Sequence, residues 1–537
     1  MNVTVQGADG PVARATRAEL IARGHVVTDR DPSCAMYFPG SLAGLQHLVD
    51  RGVPRLVLRS RAFVVGANPK NPGFISEERA SLLPPNSEAQ HWLKAEAILL
   101  SHPNWAALRL TNVLAGEEGD VVVRQLASRV AFPPAGRDPN LQFISVRDAA
   151  RALADAVESP STGVFNIAAD GVIPLKRALR AAHTLRIPVP ETLLRLRGNR
   201  DETDQLTHNW TVSSERATRE LGFEAQSTAV EALRDFLAAK PSTAPAILDS
   251  GHDDWGLDES YILALGWWFN FLQKVYWRID HEGFENIPEV GRAMFVASHR
   301  GFMPLDAVMY AWLAFKLRRR VPRFLIISSL LRMPFLSNFL TKFGGVVASQ
   351  ENAARLFEGE HLVGLFPEGI RGAFTPYRTA YKLRDFAKSE FARIALRNRA
   401  PIVPVAVIGH AEIFPIIGRI DSAWVTRTLG WPYFPIAPMF PLAPIPLPSK
   451  WHIRVLPMVP LQGLGPADAD NDRLVRDFSR YIQSIVQRNV DDMLPHRKSI
   501  FYGRVLNGTA PATAPFQQGL AADNDSKTTS EGDDYGR

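Results

Sequence analysis

Cysteine is all but missing: Cys34 is the only one in 537 residues. A lone cysteine excludes an intramolecular disulfide framework and argues against a cysteine-built metal site; such usage fits a reducing cytosol. No uninterrupted apolar run of spanning length occurs either. The nearest, residues 261–277 (YILALGWWFNFLQKVYW), is interrupted by Asn270, Gln273 and Lys274, and residues 429–447 are broken by repeated prolines. Both are expected to be interfacial or core segments. The first residues, MNVTV, lack the basic and apolar regions of a leader and are expected to form a strand. Charge of one sign is scarce as well. Lys plus Arg exceed Asp plus Glu by 61 − 55 = 6. That excess allows attraction to anionic lipid or to nucleotide phosphate but does not call for nucleic acid, and none is expected as a partner. No cluster of metal-ligand residues stands out, so no metal is expected, and there is no internal repeat.

What is present is ample apolar material: 46% hydrophobic and 22% charged residues. At about 100–200 residues per domain, the length implies two to four domains. Residues 1–240 alternate short apolar strands with helical patterns, which predicts parallel β-α-β units. Residues 241–254, within the Pro-, Ser- and Asp-rich stretch KPSTAPAILDSGHDD, read as a linker. A second α/β pattern runs over 255–505. The stretch 506–537 is rich in Ala, Thr, Gly, Asn and Asp and is expected to be a disordered tail.

In the first zone, Gly7-Ala8-Asp9-Gly10-Pro11 follows a strand and opens a helix. Glycines there let backbone N–H groups approach a diphosphate at a helix N-terminus; the plainer alternative is a tight turn with no ligand. Asp29 and Arg30 fall about twenty residues on, where a ribose-reading residue belongs. With LRSRAFVVGANP (58–69), LRLTNVLAG (108–116), QFISVRDAARALADAV (142–157) and GVFNIA (163–168), this zone resembles the extended short-chain dehydrogenase/reductase group, the NAD-dependent epimerase/dehydratase family. The resemblance implies a Rossmann-like sheet and a possible NAD(P) site at Gly7, Gly10, Asp29 and Arg30. It also implies a Tyr-x-x-x-Lys pair, yet the tyrosine position holds Gln90, ahead of Lys94. A glutamine amide cannot exchange a proton near neutral pH. The zone is therefore expected to be degenerate, with a truncated sheet and an impaired adenosine pocket.

The second zone carries the stronger signal. Residues 293–297 predict an apolar strand that delivers His299 at its end, and Asp306 follows early in an apolar helix. A histidine with a carboxylate on its other ring nitrogen is a usable general base; an acid is also favoured at a helix start for capping alone. Further on come Phe343-Gly344-Gly345, then Phe366-Pro367-Glu368-Gly369-Ile370-Arg371, then Ile402-Val403-Pro404. These blocks in this order resemble the glycerolipid acyltransferase superfamily, the lysophosphatidate acyltransferase-like proteins. The resemblance implies that His299 and Asp306 are catalytic and that Glu368, Gly369, Arg371, Gly344 and Gly345 bind substrate. Two departures stand out. Six residues, RGFMPL, separate His299 from Asp306 where four are usual, and Ser349 stands where glycerol-phosphate users keep an arginine. The serine leaves a neutral hydroxyl acceptor open. His410 reads as a packed or capping histidine.

The fold expected is thus α/β: a Rossmann-like parallel sheet, then a separate α/β acyltransferase domain behind an aromatic-rich helical segment. The resemblance implies acyl transfer from acyl-CoA or an acyl carrier protein to a lipid hydroxyl, without a metal or redox cofactor. The aromatic segment with Trp267, Trp268, Phe269, Phe271, Tyr276 and Trp277, and the cations Lys316, Arg318, Arg319, Arg320 and Arg323, suggest attachment to the cytoplasmic face of a membrane. Two alternatives remain open at this stage: a non-catalytic lipid- or nucleotide-binding pseudo-enzyme, and a bifunctional NAD(P)-dependent oxidoreductase plus acyltransferase.

Overall fold

The structure is a computed structural model. It describes residues 1–38, 40–85, 87, 89–115, 120–197, 199–238, 251–386, 390–441, 445–506 and 516. The chain forms two compact units: residues 1–257 with 331–341, and residues 258–330 with 342–537. Most of the expected linker, and the expected tail apart from Leu506 and Phe516, lie outside the described residues. Where the linker is described, it is not free. His252 Nδ1 accepts from Arg177 Nη1 at 2.6 Å and its Nε2 donates to the Val172 carbonyl at 2.7 Å, so the first unit extends to 257 rather than 240. Phe516 is also packed, edge-on against Phe478 and Tyr481.

In the first unit six strands form an all-parallel sheet: β1 (Asn2–Gly7), β2 (Val26–Val27), β3 (Cys34–Phe38), β4 (Leu56–Arg61), β5 (Trp105–Leu110) and β6 (Gly163–Ile167). Their order is β2-β1-β3-β4-β5-β6. Side chains of a strand alternate between faces, and β3 is buried on both. Cys34, Met36 and Phe38 join Val3, Val12, Leu20 and Leu108 in one core; Ala35 and Tyr37 join Leu45, Leu48, Leu58 and Leu99 in the other. Helices α1 (Pro11–Ala22) and α2 (Leu42–Asp50) contribute to the opposite cores. This is a doubly wound, Rossmann-like sheet. It is short at one edge, as the sequence led us to expect, for β2 has two residues and no helix separates it from β3.

The second unit is built on a seven-stranded sheet. Its strands are β7 (Asp280–Glu282), β8 (Ala293–Ala297), β9 (Arg323–Ile326), β10 (Val346–Val347), β11 (Leu362–Leu365), β12 (Ile402–Ile408) and β13 (His452–Val455). The order is β7-β13-β12-β8-β11-β9-β10, parallel except for the β12–β13 pair. Strand β8 lies between β11 and β12, and all its residues are buried. The chain therefore emerges at the carboxyl edge of a parallel sheet, the place where such sheets bind ligands. The aromatic segment forms the helices Glu259–Ala264 and Gly266–Phe271 and a π-turn Leu272–Tyr276.

Candidate active site

His299 follows β8, and Asp306 lies in the first turn of α3 (Leu305–Arg318). The two extra residues between them are absorbed by the loop backbone. Gly301 takes φ +81° and Phe302 φ +41°, a left-handed excursion that turns the chain back on itself. His299 Nδ1 then sits 2.8 Å from both Asp306 oxygens. The carboxylate is fully buried and also accepts from Arg300 N at 3.1 Å and Ala307 N at 2.8 Å. It is a fixed acceptor. It holds the Nδ1 proton in place and leaves Nε2 as the basic nitrogen. Phe366, one residue beyond β11, stacks on the imidazole at 4.7 Å and fixes the ring plane.

Arg300, next to the histidine, was not singled out from sequence, although its position in the His-Arg dipeptide was the available signal. Its guanidinium is 1% exposed and forms a bidentate pair with Glu368, at 2.6 and 3.0 Å. It also donates to the Ala380 carbonyl at 2.6 Å. Glu368 in turn accepts from Arg384 N at 2.6 Å. The expectation that Glu368 binds substrate is corrected by this geometry: its carboxylate is consumed in a buried ion pair that ties the histidine loop to the Pro-Glu-Gly turn.

Of the other residues expected to bind substrate, Gly369 lines the site, and its φ of +55° turns the chain into α4 (Gly369–Ala373). Arg371 is exposed on that short helix. Gly344 and Gly345 serve the turn into β10. Gly344 has φ +87°, and a Cβ there would press on Val321 and Arg323. Ala348, three residues later, reaches the cavity instead. Ser349 caps α5 (Gln350–Glu358), accepting from Asn352 N at 3.0 Å.

A cavity of about 320 Å³ opens beside His299. Its walls are almost wholly apolar and include Phe302, Leu325, Ile326, Leu365, Phe374 and Trp431. Trp431 belongs to the proline-broken stretch and has no signal in the sequence that would place it here. His410 is the packed histidine expected. It is 1% exposed and lies 3.3 Å from Ser298 Oγ. Burial, with Arg300 and His299 nearby, keeps its imidazole well below the ordinary value, so it is neutral. The five cations read as a lipid-facing cluster are largely engaged within the fold. Arg323 is 1% exposed, Arg320 donates to the carbonyls of Pro288, Gly291 and Glu360, and Arg318 pairs with Glu289.

In the first unit, Gly7 has φ +98°, and a Cβ on it would collide with the Phe38 carbonyl, so the glycine serves the β1–β3 approach. Gly10 precedes α1 with an ordinary extended backbone. Asp9 sets a carboxylate, paired with Arg17, beside that helix start, where it opposes a diphosphate. Asp29 accepts a hydrogen bond from Thr4, and Arg30 is exposed. Lys94 is exposed, Gln90 donates to the Pro84 carbonyl at 3.3 Å, and Ser60 bonds the buried Glu96 carboxylate at 2.6 Å. Arg109 also holds Glu96, at 2.6 Å. Gln90, standing in the tyrosine position with its amide on the Pro84 carbonyl, supplies no acid or base for a nicotinamide-dependent reaction.

Known proteins bear on both units. The Acyltransferase family model matches residues 278–408, a span that takes in His299, Asp306 and all the blocks quoted above. An uncharacterised protein of Mycobacterium leprae is 31% identical over 304 residues, covering 55% of this chain and 80% of that protein. The chain belongs to the acyltransferase family. A Mycobacterium tuberculosis relative, also uncharacterised, is 32% identical over 262 residues, or 48% of this chain and 73% of its own. A Bos taurus protein named DGAT1/2-independent enzyme synthesizing storage lipids is 27% identical over 169 residues, covering 31% of this acyltransferase and 48% of that protein. Among solved structures, the human epimerase family protein SDR39U1 with NADPH matches at 18% identity and TM-score 0.38, over 45% of this chain and all of that one.

Proposed function

We propose that this acyltransferase moves an acyl chain from a thioester, acyl-CoA or acyl carrier protein, to a lipid hydroxyl. The observation that carries the proposal is the His299–Asp306 pair opening onto an apolar cavity. His299 Nε2 takes the proton as the acceptor oxygen attacks the thioester carbonyl. Asp306 stabilises the imidazolium that forms, and the proton then passes to the leaving thiolate. At about 320 Å³ the cavity lies at the lower end of the roughly 300–1,000 Å³ typical of small-molecule sites. Its lining suits hydrocarbon rather than sugar. The reading is tested by incubating the purified chain with labelled acyl-CoA and a lipid extract and weighing the product; no acylated product from any acceptor refutes it.

A neutral acceptor, such as a mono- or diacylglycerol or a long-chain alcohol, is the preferred one. Ser349 is bound up in a helix cap, and a hydroxyl there cannot replace a guanidinium on phosphate. The storage-lipid activity in the name of the Bos taurus relative points the same way. Competing a diacylglycerol against lysophosphatidate in one micellar assay decides the matter. A tenfold preference for lysophosphatidate would overturn the assignment and point to Arg371.

The enzyme is further proposed to work on the cytoplasmic face of a membrane. No helix of the described residues is long and apolar enough to cross one. The aromatic segment, however, is turned outside in. Gln273 is buried and, with Asn270, binds Lys316 at 2.9 and 2.7 Å; of the six aromatics expected at the lipid, Phe269 and Trp277 are buried in the fold instead, while Trp267, Trp268 and Phe271, with Val275, are exposed. Exposed aromatics of this kind favour a headgroup boundary. The first unit is assigned a binding or structural role without redox chemistry. An NADH fluorescence titration showing tight binding would reopen the bifunctional reading.

A further inference from the structure

One part of the second unit reaches the cavity through Trp431 and otherwise faces away from it. After β12 the chain leaves the sheet as strand Gly418–Ile420, helix Ala423–Leu429 and strand Phe434–Ile436, the two strands pairing antiparallel. This hairpin, residues 417–440, holds only three charged residues: Arg419, Asp421 and Arg427. Its inner side is fixed. Trp431 lines the cavity and packs against Phe302 and Phe374, and Phe440 packs against Phe302 at 4.8 Å. Its outer side is exposed and apolar: Ile417 is 69% exposed, Ile420 53%, Trp424 67%, Ile436 39% and Met439 50%. So dense an apolar surface, on an element that packs well on its other side, marks a contact with something apolar.

Two features name the occupant. The chain just after the hairpin is stapled to the aromatic segment, for Tyr276 Oη donates to the Pro446 carbonyl at 2.5 Å and Trp277 Nε1 to that of Leu447 at 3.3 Å. The chain that follows the hairpin is thus tied to the segment that exposes Trp267, Trp268 and Phe271. At the hairpin base, Tyr377 N bonds the Ile416 carbonyl, and the segment that follows Tyr377 exposes three cations, Arg378, Lys382 and Arg384, against one acid, Asp385. Apolar side chains carried on a basic base complement a bilayer with anionic headgroups.

We propose that residues 417–440 dip into an anionic lipid surface and place the mouth of the acyl cavity at the membrane, with Trp431 as the wall between lipid and His299. The proposal rests on the membrane reading given above, and its test separates the two. Cys34 is 1% exposed and burial pushes its thiol up to about 12, so a cysteine placed elsewhere can be labelled alone. The full chain carrying Trp424→Cys, labelled with an environment-sensitive dye, is mixed with phosphatidylcholine vesicles with and without phosphatidylglycerol. The same dye on Ile21→Cys, an exposed site in the first unit, serves as reference. A blue shift at position 424, stronger with phosphatidylglycerol and missing at 21, is expected. Co-sedimentation with vesicles while the dye at 424 stays in water overturns the hairpin proposal and spares the membrane reading. No vesicle binding at all overturns both. A second variant, Ile417→Asp with Trp424→Asp, is expected to lose at least tenfold in vesicle affinity with an unchanged melting temperature; full affinity overturns the proposal.

Discussion

Catalysis is assigned to His299 and Asp306, and the loop that carries them is held by Glu368. His299→Ala removes the Asp306-oriented base that opens onto the cavity, and transfer is expected to fall by at least about 10²–10⁴-fold, the usual share of general-base catalysis. Circular dichroism should be unchanged, because the ring is held by partners rather than holding the fold. Asp306→Asn is expected to cost about a hundredfold in kcat, since the ring remains but its tautomer is no longer fixed. It should also lower the melting temperature, because an amide cannot accept from His299, Arg300 N and Ala307 N together. A silent Asp306→Asn would show that another acid orients the ring. Glu368→Ala tests the corrected role. It strands a buried guanidinium, which costs about 3–5 kcal/mol, so unfolding should move to much lower denaturant before any change in KM is seen. The acid-base pair was legible in the sequence because it sits in an ordered set of motifs. The Arg300–Glu368 pair was not. A charged residue in a motif looks the same from sequence whether it faces ligand or a partner 68 residues away.

Among the elements, periodicity foretold more than roles did. The apolar strands at 293–297, 362–366 and 402–408 were plain, because a central parallel strand is buried on both faces and reads as a continuous apolar run. The proline-broken stretch 429–447 was read only as interfacial or core. Its share in the cavity, through Trp431, depends on a tertiary contact with Phe302 that no local pattern encodes. The cavity itself gives an element-level test. Ala348→Phe, at the end of β10, fills wall space and should lower kcat/KM for hexadecanoyl-CoA relative to octanoyl-CoA. Equal losses for both donors would mean that the acyl chain lies elsewhere. Strand β13 supplies a pH test. Burial lowers the His452 imidazole to about 4. Its unfolded value is about 6.5, so protons favour the unfolded chain. The stability from a neutral His452 is complete above about pH 6.5 and is lost as pH falls toward 4; by pH 4 the loss amounts to about 3 kcal/mol. Urea unfolding of His452→Gln should show a shallower acid decline than the wild type.

For the whole molecule, the sequence suggests two α/β units, 1–240 and 255–505, joined by a linker. The structure changes that expectation. Residues 331–341, which lie between acyltransferase elements in the chain, belong to the first unit. There Arg137, 4% exposed, donates to the Leu331 carbonyl at 2.9 Å and the Arg332 carbonyl at 2.7 Å, and pairs with Glu191 at 3.1 Å. Gly136, at φ +73°, accepts from Phe335 N at 2.8 Å. No linear pattern announces such an insertion, because 331–341 reads locally like the rest of its neighbourhood. A chain beginning at 258 should therefore be less soluble and melt lower than the acyltransferase unit within the full protein. Arg137→Ala in the full chain should reproduce part of the loss. A chain starting at 258 with full stability and activity would contradict this.

The central claim is that this chain is a His299-dependent lipid acyltransferase. The most direct measurement mixes the purified full-length protein, wild type or His299→Ala, with labelled acyl-CoA and diacylglycerol vesicles and follows label into extracted lipid. A labelled neutral lipid is expected from the wild type and none above background from the variant. Equal incorporation by the two proteins, or none by the wild type with any acceptor, would contradict it.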